Sequence, residues 1–457
     1  MSIELLSNLS SKIISLAQEK NVSETEFYGK FDDIIQVEIS SNGIGKVISR
    51  SIGKYALRIA IGKKVGLVYS ENIDEKSIPD IVEKAISITK TTPEDKNWPG
   101  FPRGYSSKEG LKVYDKVLAS ITPENLIEFL GEVIDTSIDN ARKAGALEAI
   151  VTRGYLGIVR SGIYIENSYG DSISGSSTAL YLYYNIHVKN DEGDTAYPFT
   201  IQIRRLDKDK IFSKVAETAN LAVKFIGAKP IDSGKYQLLI MPEVHGELVE
   251  TVFSPAVSAY SIQRNRSPLK DKVGEQIFSE EVTIFDDPHM DYGFGSRPFD
   301  DEGIMTTSKP LVDHGVFENI VYDHYTASIE GKKSTGNAVR RRLNSVPAPE
   351  PLNIVFKARN AEDLESMIGM IKRGIIVYGV IGSWMSNPVN GAIQATVTHG
   401  LYVENGEIKH PVKGVVMGGN YYNYLKQDLM ALGKDIENYG HIYAIPILVD
   451  KVPIAGK

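Results

Sequence analysis

The chain has 457 residues, 42% of them hydrophobic and 24% charged, an ordinary globular composition in a length that exceeds a single core and implies two or three domains. It contains no cysteine, which excludes disulfides, thiolate metal ligands and thiol nucleophiles. With 51 basic and 58 acidic residues the net charge is −7, so the phosphate backbone of a nucleic acid is not an expected partner.

Leu5, Leu6, Leu9, Ile13, Ile14 and Leu16 recur at helical spacing and predict an amphipathic helix over 4–20. Nothing in Met1 to Leu6 pairs a basic stretch with an apolar one, so no signal peptide is expected, and cytoplasmic residence is the default. No apolar run is long enough for a membrane helix. Ile35, Val37 and Ile39 alternate with polar residues, Ser41-Asn42-Gly43 reads as a turn, and Leu57, Ile59 and Ile61 alternate again. With Gly62-Lys63-Lys64 and Val65 to Tyr69 this makes an antiparallel meander, followed by a helix over 76–90.

Pro93, Pro99, Gly100, Pro102 and Gly104 mark a linker. Thr122-Pro123-Glu124 opens a helix running to about Lys143, with a capping residue, a first-turn proline and an early acid. Strands fill roughly 147–205, a helix covers 209–226, and Tyr236 to Met241 is a buried strand. Glu243 to Arg264 reads as a helix kinked at Pro255; beyond 270 short strands and glycine turns dominate, with one helix over 361–373. The fold class is α+β: residues 1–92 as an N-terminal α+β region, 93–110 as a linker, 111–228 as a middle α+β region and 229–457 as a large β-rich domain.

None of the eight histidines forms an HExxH pair, no Gly-x-Ser-x-Gly elbow is present, and no phosphate-binding loop is found. The nearest approach to a metal set is Glu243, His245 and Glu247. On a helix, His245 points about 200° away from Glu243, so the three do not converge, and the segment reads as a structural or capping turn. Two other segments are unusually polar. Phe299-Asp300-Asp301-Glu302-Gly303 sets three carboxylates before a glycine, and Ser334-Thr335-Gly336-Asn337-Ala338 leads into Arg340-Arg341-Arg342. Adjacent acids repel unless paired or solvated. The pattern suits either a polar strip for a peptide backbone or a solvated turn beside an ion-paired loop.

The order of Phe299 to Gly303, Asp313-His314-Gly315-Val316, Tyr325-Thr326-Ala327 and Lys333 to Ala338 resembles the central block of the TldD/PmbA family. Leu401 to Ile408, Pro411-Val412, Gly418-Gly419-Asn420, Gly433 to Glu437 and Pro453 to Gly456 are similar to its later elements, so the resemblance spans about 230–456. It implies an α+β fold with a large β-rich C-terminal domain. TldD-type members carry an HExxxH helix and a later cysteine that bind zinc. At the matching stretch Pro242 and Glu247 stand where the two histidines belong, and only Glu243, the general-base position, is kept.

That pattern resembles the PmbA (TldE) branch, whose members pair with a TldD-type subunit in a peptidase acting on unfolded or leader peptides. The resemblance therefore implies no metal or other cofactor in this subunit, zinc in the partner, and a heterodimer or a pair of identical chains. The peptide-binding candidates are Ser334, Thr335, Gly336, Asn337, Arg340, Asp300 and Glu302. Two other functions stay open: a self-sufficient homodimeric peptidase with a divergent site, and a protein-binding regulator of the DNA gyrase type.

Overall fold

Leu6, Leu9, Ile13 and Ala17 fall on one side of helix α1 (Ile3–Glu19) and are buried in the computed structural model, which describes residues 2–457. Strands β1 (Glu24–Ser40), β2 (Gly43–Ile61) and β3 (Lys64–Ser70) form the expected meander. Ser41 and Asn42 turn the first hairpin at φ 47° and 64°, the left-handed pair that a tight two-residue connection requires. Helix α2 (Ile78–Thr91) packs its apolar stripe on the same core as α1. After the short α3 (Lys116–Ala119), Thr122 caps α4 (Pro123–Lys143) in a reciprocal capping box with Asn125. Strands β4 (Glu148–Asn167), β5 (Ser172–Asn190), β6 (Gly193–Ile203) and helix α5 (Lys208–Lys224) complete this half.

These strands form one sheet. β1 pairs antiparallel with β4 from Glu26 opposite Asn167 to Ser40 opposite Arg153, giving the order β3-β2-β1-β4-β5-β6. The regions drawn at 1–92 and 111–228 are thus joined across 93–110, where Trp98 and Phe101 are buried against Ala60 of β2. Alternation along a strand names the face it buries and leaves its neighbour unspecified, which is why a meander and a later hairpin looked separable. Helices α1, α2, α4 and α5 all lie on one face of the sheet. On the opposite face Tyr28, Ala56 and Ile165 meet Phe299 of the second half.

The second half begins with β7 (Gly234–Ile240), α6 (Pro242–Leu248) and α7 (Ala259–Gln263). The single helix expected over 243–264 is divided. Pro255 has no N–H and crowds the carbonyl four residues back, so the regular ladder fails upstream of it. Residues 249–253 widen into a π turn, with the Ser254 N–H donating to Val249 O at 2.8 Å.

Beyond lie β8 (Val282–Asp286), β9 (Lys309–Asp313), β10 (Val316–Phe317), α8 (His324–Ile329), β11 (Ala338–Val339), β12 (Ala348–Pro349) and β13 (Ile354–Ala358). Then come β14 (Ala361–Glu362), α9 (Leu364–Gly369), β15 (Arg373–Ile381), β16 (Ala392–Glu404), β17 (Glu407–Val412) and β18 (Val415–Asn420). The chain closes with α10 (Tyr421–Tyr424), β19 (Leu429–Gly433), β20 (Glu437–Tyr439), β21 (Ile442–Ala444) and β22 (Ile447–Ala455). The helix expected over 361–373 is only the short α9.

Strands β7, β15, β16, β18 and β22 pair in sequence, and β22 returns to pair with β7, so the pairing closes into a ring. A second sheet runs β10-β9-β8-β13-β21-β20. Leu238, Ile240, Val377, Val397 and Val449 join Ile284, Val312 and Ile354 in the shared core. With its helices segregated from its sheets, the fold is α+β. Among the described residues no helix is long and apolar enough to cross a membrane.

Candidate functional site

Helix α6 leaves β7 at Met241, whose N–H donates to Val377 O at 3.1 Å. Pro242 occupies its first turn, where a missing N–H costs nothing. His245 is fully buried, 4.6 Å from the Phe356 ring. Its Nδ1 lies 2.8 Å from the Ile445 carbonyl, which can only accept, so Nδ1 carries the proton. Nε2 then accepts from the Tyr421 hydroxyl at 3.0 Å. Burial pushes the imidazole down to about 4, which keeps it neutral with both nitrogens engaged.

Glu243 and Glu247 face a cavity of about 370 Å³, bounded by β6, by Tyr378 to Val380 of β15 and by Tyr439 of β20. Lys214 of α5 reaches in and pairs with Glu243 at 3.1 Å and with Glu437 at 3.0 Å. Burial alone would lower the Lys214 ammonium, but the two carboxylates outweigh it and hold it above the usual lysine value. Glu247 accepts a hydrogen bond from the Ser383 hydroxyl, and burial raises its carboxyl. Tyr439 closes over the backbone of α6 so tightly that a Cβ on Gly246 would lie 2.6 Å from its own Cβ.

These residues do not fit a zinc ion. Pro242 has no donor, His245 has no free nitrogen, and Glu243 already neutralises an ammonium. Among the described residues no group of three His, Asp or Glu is placed to hold a metal. Sequence reasoning missed Lys214 and Glu437, which lie far from α6 in the chain and carry no motif.

The cavity runs along an open strand edge. β6 pairs only with β5; on its other side the Ala196 carbonyl accepts from His399 at 2.9 Å and the Gln202 carbonyl from Asn438 at 2.9 Å. Alternation turns the Pro198 carbonyl and both main-chain groups of Thr200 the same way, into the cavity. Proline belongs in such a strand only on its free side.

The polar segments singled out in the sequence lie elsewhere, in the seam between the two halves. Asp300, buried, accepts from the N–H groups of Glu302 (2.9 Å), Ile304 (3.0 Å) and Ala338 (2.9 Å). Glu302 accepts from the His324 N–H at 3.0 Å and lies 3.5 Å from Arg58. Glu26 of β1 is gripped by Arg58 of β2, whose Nε donates at 2.8 Å, and by Arg340. Burial, and then the charge of Asp323, pushes Glu302 up to about 8, so it keeps its proton at neutral pH.

Asn337, also buried, donates to Asp286 (2.7 Å) and to the Glu350 carbonyl (2.9 Å) and accepts from Thr335 (2.7 Å). Ser334 donates to the Tyr322 carbonyl at 3.2 Å, and the Thr335 hydroxyl accepts from the Tyr322 N–H at 2.8 Å. Gly336 takes φ 70°, a left-handed conformation that favours glycine, and a Cβ there would meet Met305 O at 2.4 Å. The polar groups of Asp300, Glu302 and Asn337 therefore meet partners inside the chain. The contacts of Glu302 with Arg58 and of Arg340 with Glu26 tie the two packed halves together.

Together these features define an α+β chain of two packed halves, with a lysine–carboxylate cluster on α6 beside the open edge of β6. The C-terminal half, residues 233–456, matches the family model described as the PmbA/TldA metallopeptidase C-terminal domain. An uncharacterized protein of Methanocaldococcus jannaschii is 31% identical over 437 residues, covering 94% of this chain and 96% of that one. Metalloprotease PmbA of Escherichia coli O157:H7 is 23% identical over 453 residues, 97% of this chain and 92% of that protein. The crystal structure of TldE from Thermococcus kodakarensis superposes with a TM-score of 0.87 at 25% identity, covering 98% of this chain and 100% of that one. The chain belongs to the PmbA/TldD family.

Proposed function

We propose that this chain is the metal-less partner subunit of a PmbA/TldD-type peptidase, holding unfolded or leader peptides for cleavage by a zinc-bearing, TldD-type subunit in the cytoplasm. The observation that carries this reading is the state of α6. Pro242 and Glu247 stand at the ligand positions, and His245 is fixed in the core by Ile445 and Tyr421. A retained Glu243 has no metal-bound water to activate, and Lys214 holds it at 3.1 Å instead. The open edge of β6 supports the holding role. Main-chain pairing along a free strand accepts varied sequences, as a processing complex requires. A stable subunit pairing would bury about 2,000 Å² or more.

The test compares peptide cleavage by this chain alone, by a TldD-type subunit of the same organism alone, and by both together. Activity only in the mixture, with size-exclusion evidence of a one-to-one complex, is the expected result. Cleavage by this chain alone, abolished by a chelator, would overturn the reading.

A further inference from the structure

Arg204, just past the end of β6, lies between the sheet and the second half. Its Nε–H donates to the Phe294 carbonyl at 2.8 Å, and among the described residues neither terminal nitrogen has a partner and no carboxylate pairs with it. Beside it stands Arg297, paired with Asp301 at 3.2 Å. Both guanidiniums line a cavity of about 300 Å³ and an adjoining one of about 270 Å³, which share Ser161, Ile163 and Ser177. Other polar side chains on these walls have their own partners: Lys30 pairs with Asp32 at 3.2 Å, His441 lies 3.4 Å from Glu250, and Glu350 is bonded to Arg341. Arg204 is the exception. Burial and the like charge of Arg297 pull it down to about 10, which still leaves it charged at neutral pH. Arg204 is half-buried, no anion pairs with it, and its planar fork matches a carboxylate.

These cavities continue the α6 cleft. Tyr183, Gln202 and Tyr439 line the cleft, while Tyr181, Arg204 and His441 line the arginine cavity. Each pair is two residues apart along one chain segment, a step of about 6.6 Å where that segment is strand. The free edge of β6 ends at Gln202, whose carbonyl is taken by Asn438, and a chain leaving the cleft past that point arrives at Arg204. We propose that Arg204 and Arg297 form a carboxylate-binding site at the end of the α6 cleft, which takes the C-terminal carboxylate of an extended peptide. The identity of the ligand rests on the peptide-holding role; the carboxylate chemistry does not.

The experiment uses the full chain and a fluorescein-labelled unstructured heptapeptide, with a free or an amidated C-terminus, read by anisotropy. Succinate binding is measured separately by calorimetry. Amidation is expected to weaken binding at least tenfold in the natural chain and to have no effect in Arg204→Gln. Succinate binding is expected to fall at least tenfold in the same variant and less in Arg204→Lys. The melting temperature of Arg204→Gln without ligand, measured beside that of the natural chain, separates lost binding from lost folding. Equal binding of acid and amide, or an undiminished preference in Arg204→Gln, overturns the carboxylate site while leaving the peptide-holding role standing. Arginine-dependent succinate binding with no peptide binding supports the site and overturns its peptide ligand.

Discussion

Replacing Glu26 by glutamine should cost about 3–5 kcal/mol of folding stability, the usual penalty for removing one partner of a buried ion pair. The structure places the value in that range. The Glu26 side chain is 0% exposed, and the side chains of Arg58 and Arg340 around it are 4% and 1% exposed. At an effective dielectric constant near 20, each charge pair at close range is worth about 4 kcal/mol, against a desolvation penalty of several kcal/mol per ion. Burial would raise the Glu26 carboxyl, but the two guanidiniums outweigh burial and hold it below the usual glutamate value. After substitution Arg58 still has Glu302 at 3.5 Å, whose carboxyl ionises more easily once the charge of Glu26 is gone, while Arg340 keeps only the Ser345 carbonyl at 3.3 Å and the face of Tyr28, 4.8 Å away. Most of the loss is therefore an orphaned Arg340, and adding Arg340→Met to Glu26→Gln should cost less than about 1 kcal/mol more. Urea denaturation at pH 7 measures both. A loss below about 1 kcal/mol for Glu26→Gln, or strict additivity with Arg340→Met, would refute the reasoning.

Gly246→Ala puts a Cβ 2.6 Å from that of Tyr439, so α6 must withdraw from β20; a loss of about 1–3 kcal/mol is expected, overriding the better helix propensity of alanine. A thermal melt at or above that of the natural chain would contradict this packing. Glu302 predicts a pH dependence. Its folded value near 8 lies above the ordinary 4.5, so the folded state keeps a proton that the unfolded state releases between them. Its contribution is complete below the lower value and is lost as pH rises through the upper one. Stability should decline toward alkaline pH, and Glu302→Gln should flatten that decline; equal slopes for both proteins would remove Glu302 as its source.

Much of the local structure was legible in the sequence. The apolar spacing of α1 and α2, the Thr122-Pro123 start of α4 and the Ser41-Asn42 turn all act within a few residues, where propensity and pattern decide. The pairing of β1 with β4 was not, because its partners lie more than 100 residues apart and alternation specifies a face only. The same distance hid the meaning of the acidic run at 300–302. Its arginine Arg58 and its neighbour Glu26 sit on the first hairpin, so neither the burial nor the pairing could be read locally. The identities of Pro242 and Glu247 can be read directly from the sequence, and the proposed loss of metal ligands rests on them. Lys214, Glu437 and Arg204 were not legible, because each acquires its role from neighbours that only the fold supplies.

The central claim is that α6 carries no metal and cuts nothing by itself. The most direct measurement is elemental analysis of the isolated chain after saturation with zinc and gel filtration, run beside peptide cleavage by the same sample. The account predicts far less than one zinc per chain and no cleavage until a TldD-type subunit is added. One zinc per chain, with chelator-sensitive cleavage by the chain alone, would contradict it.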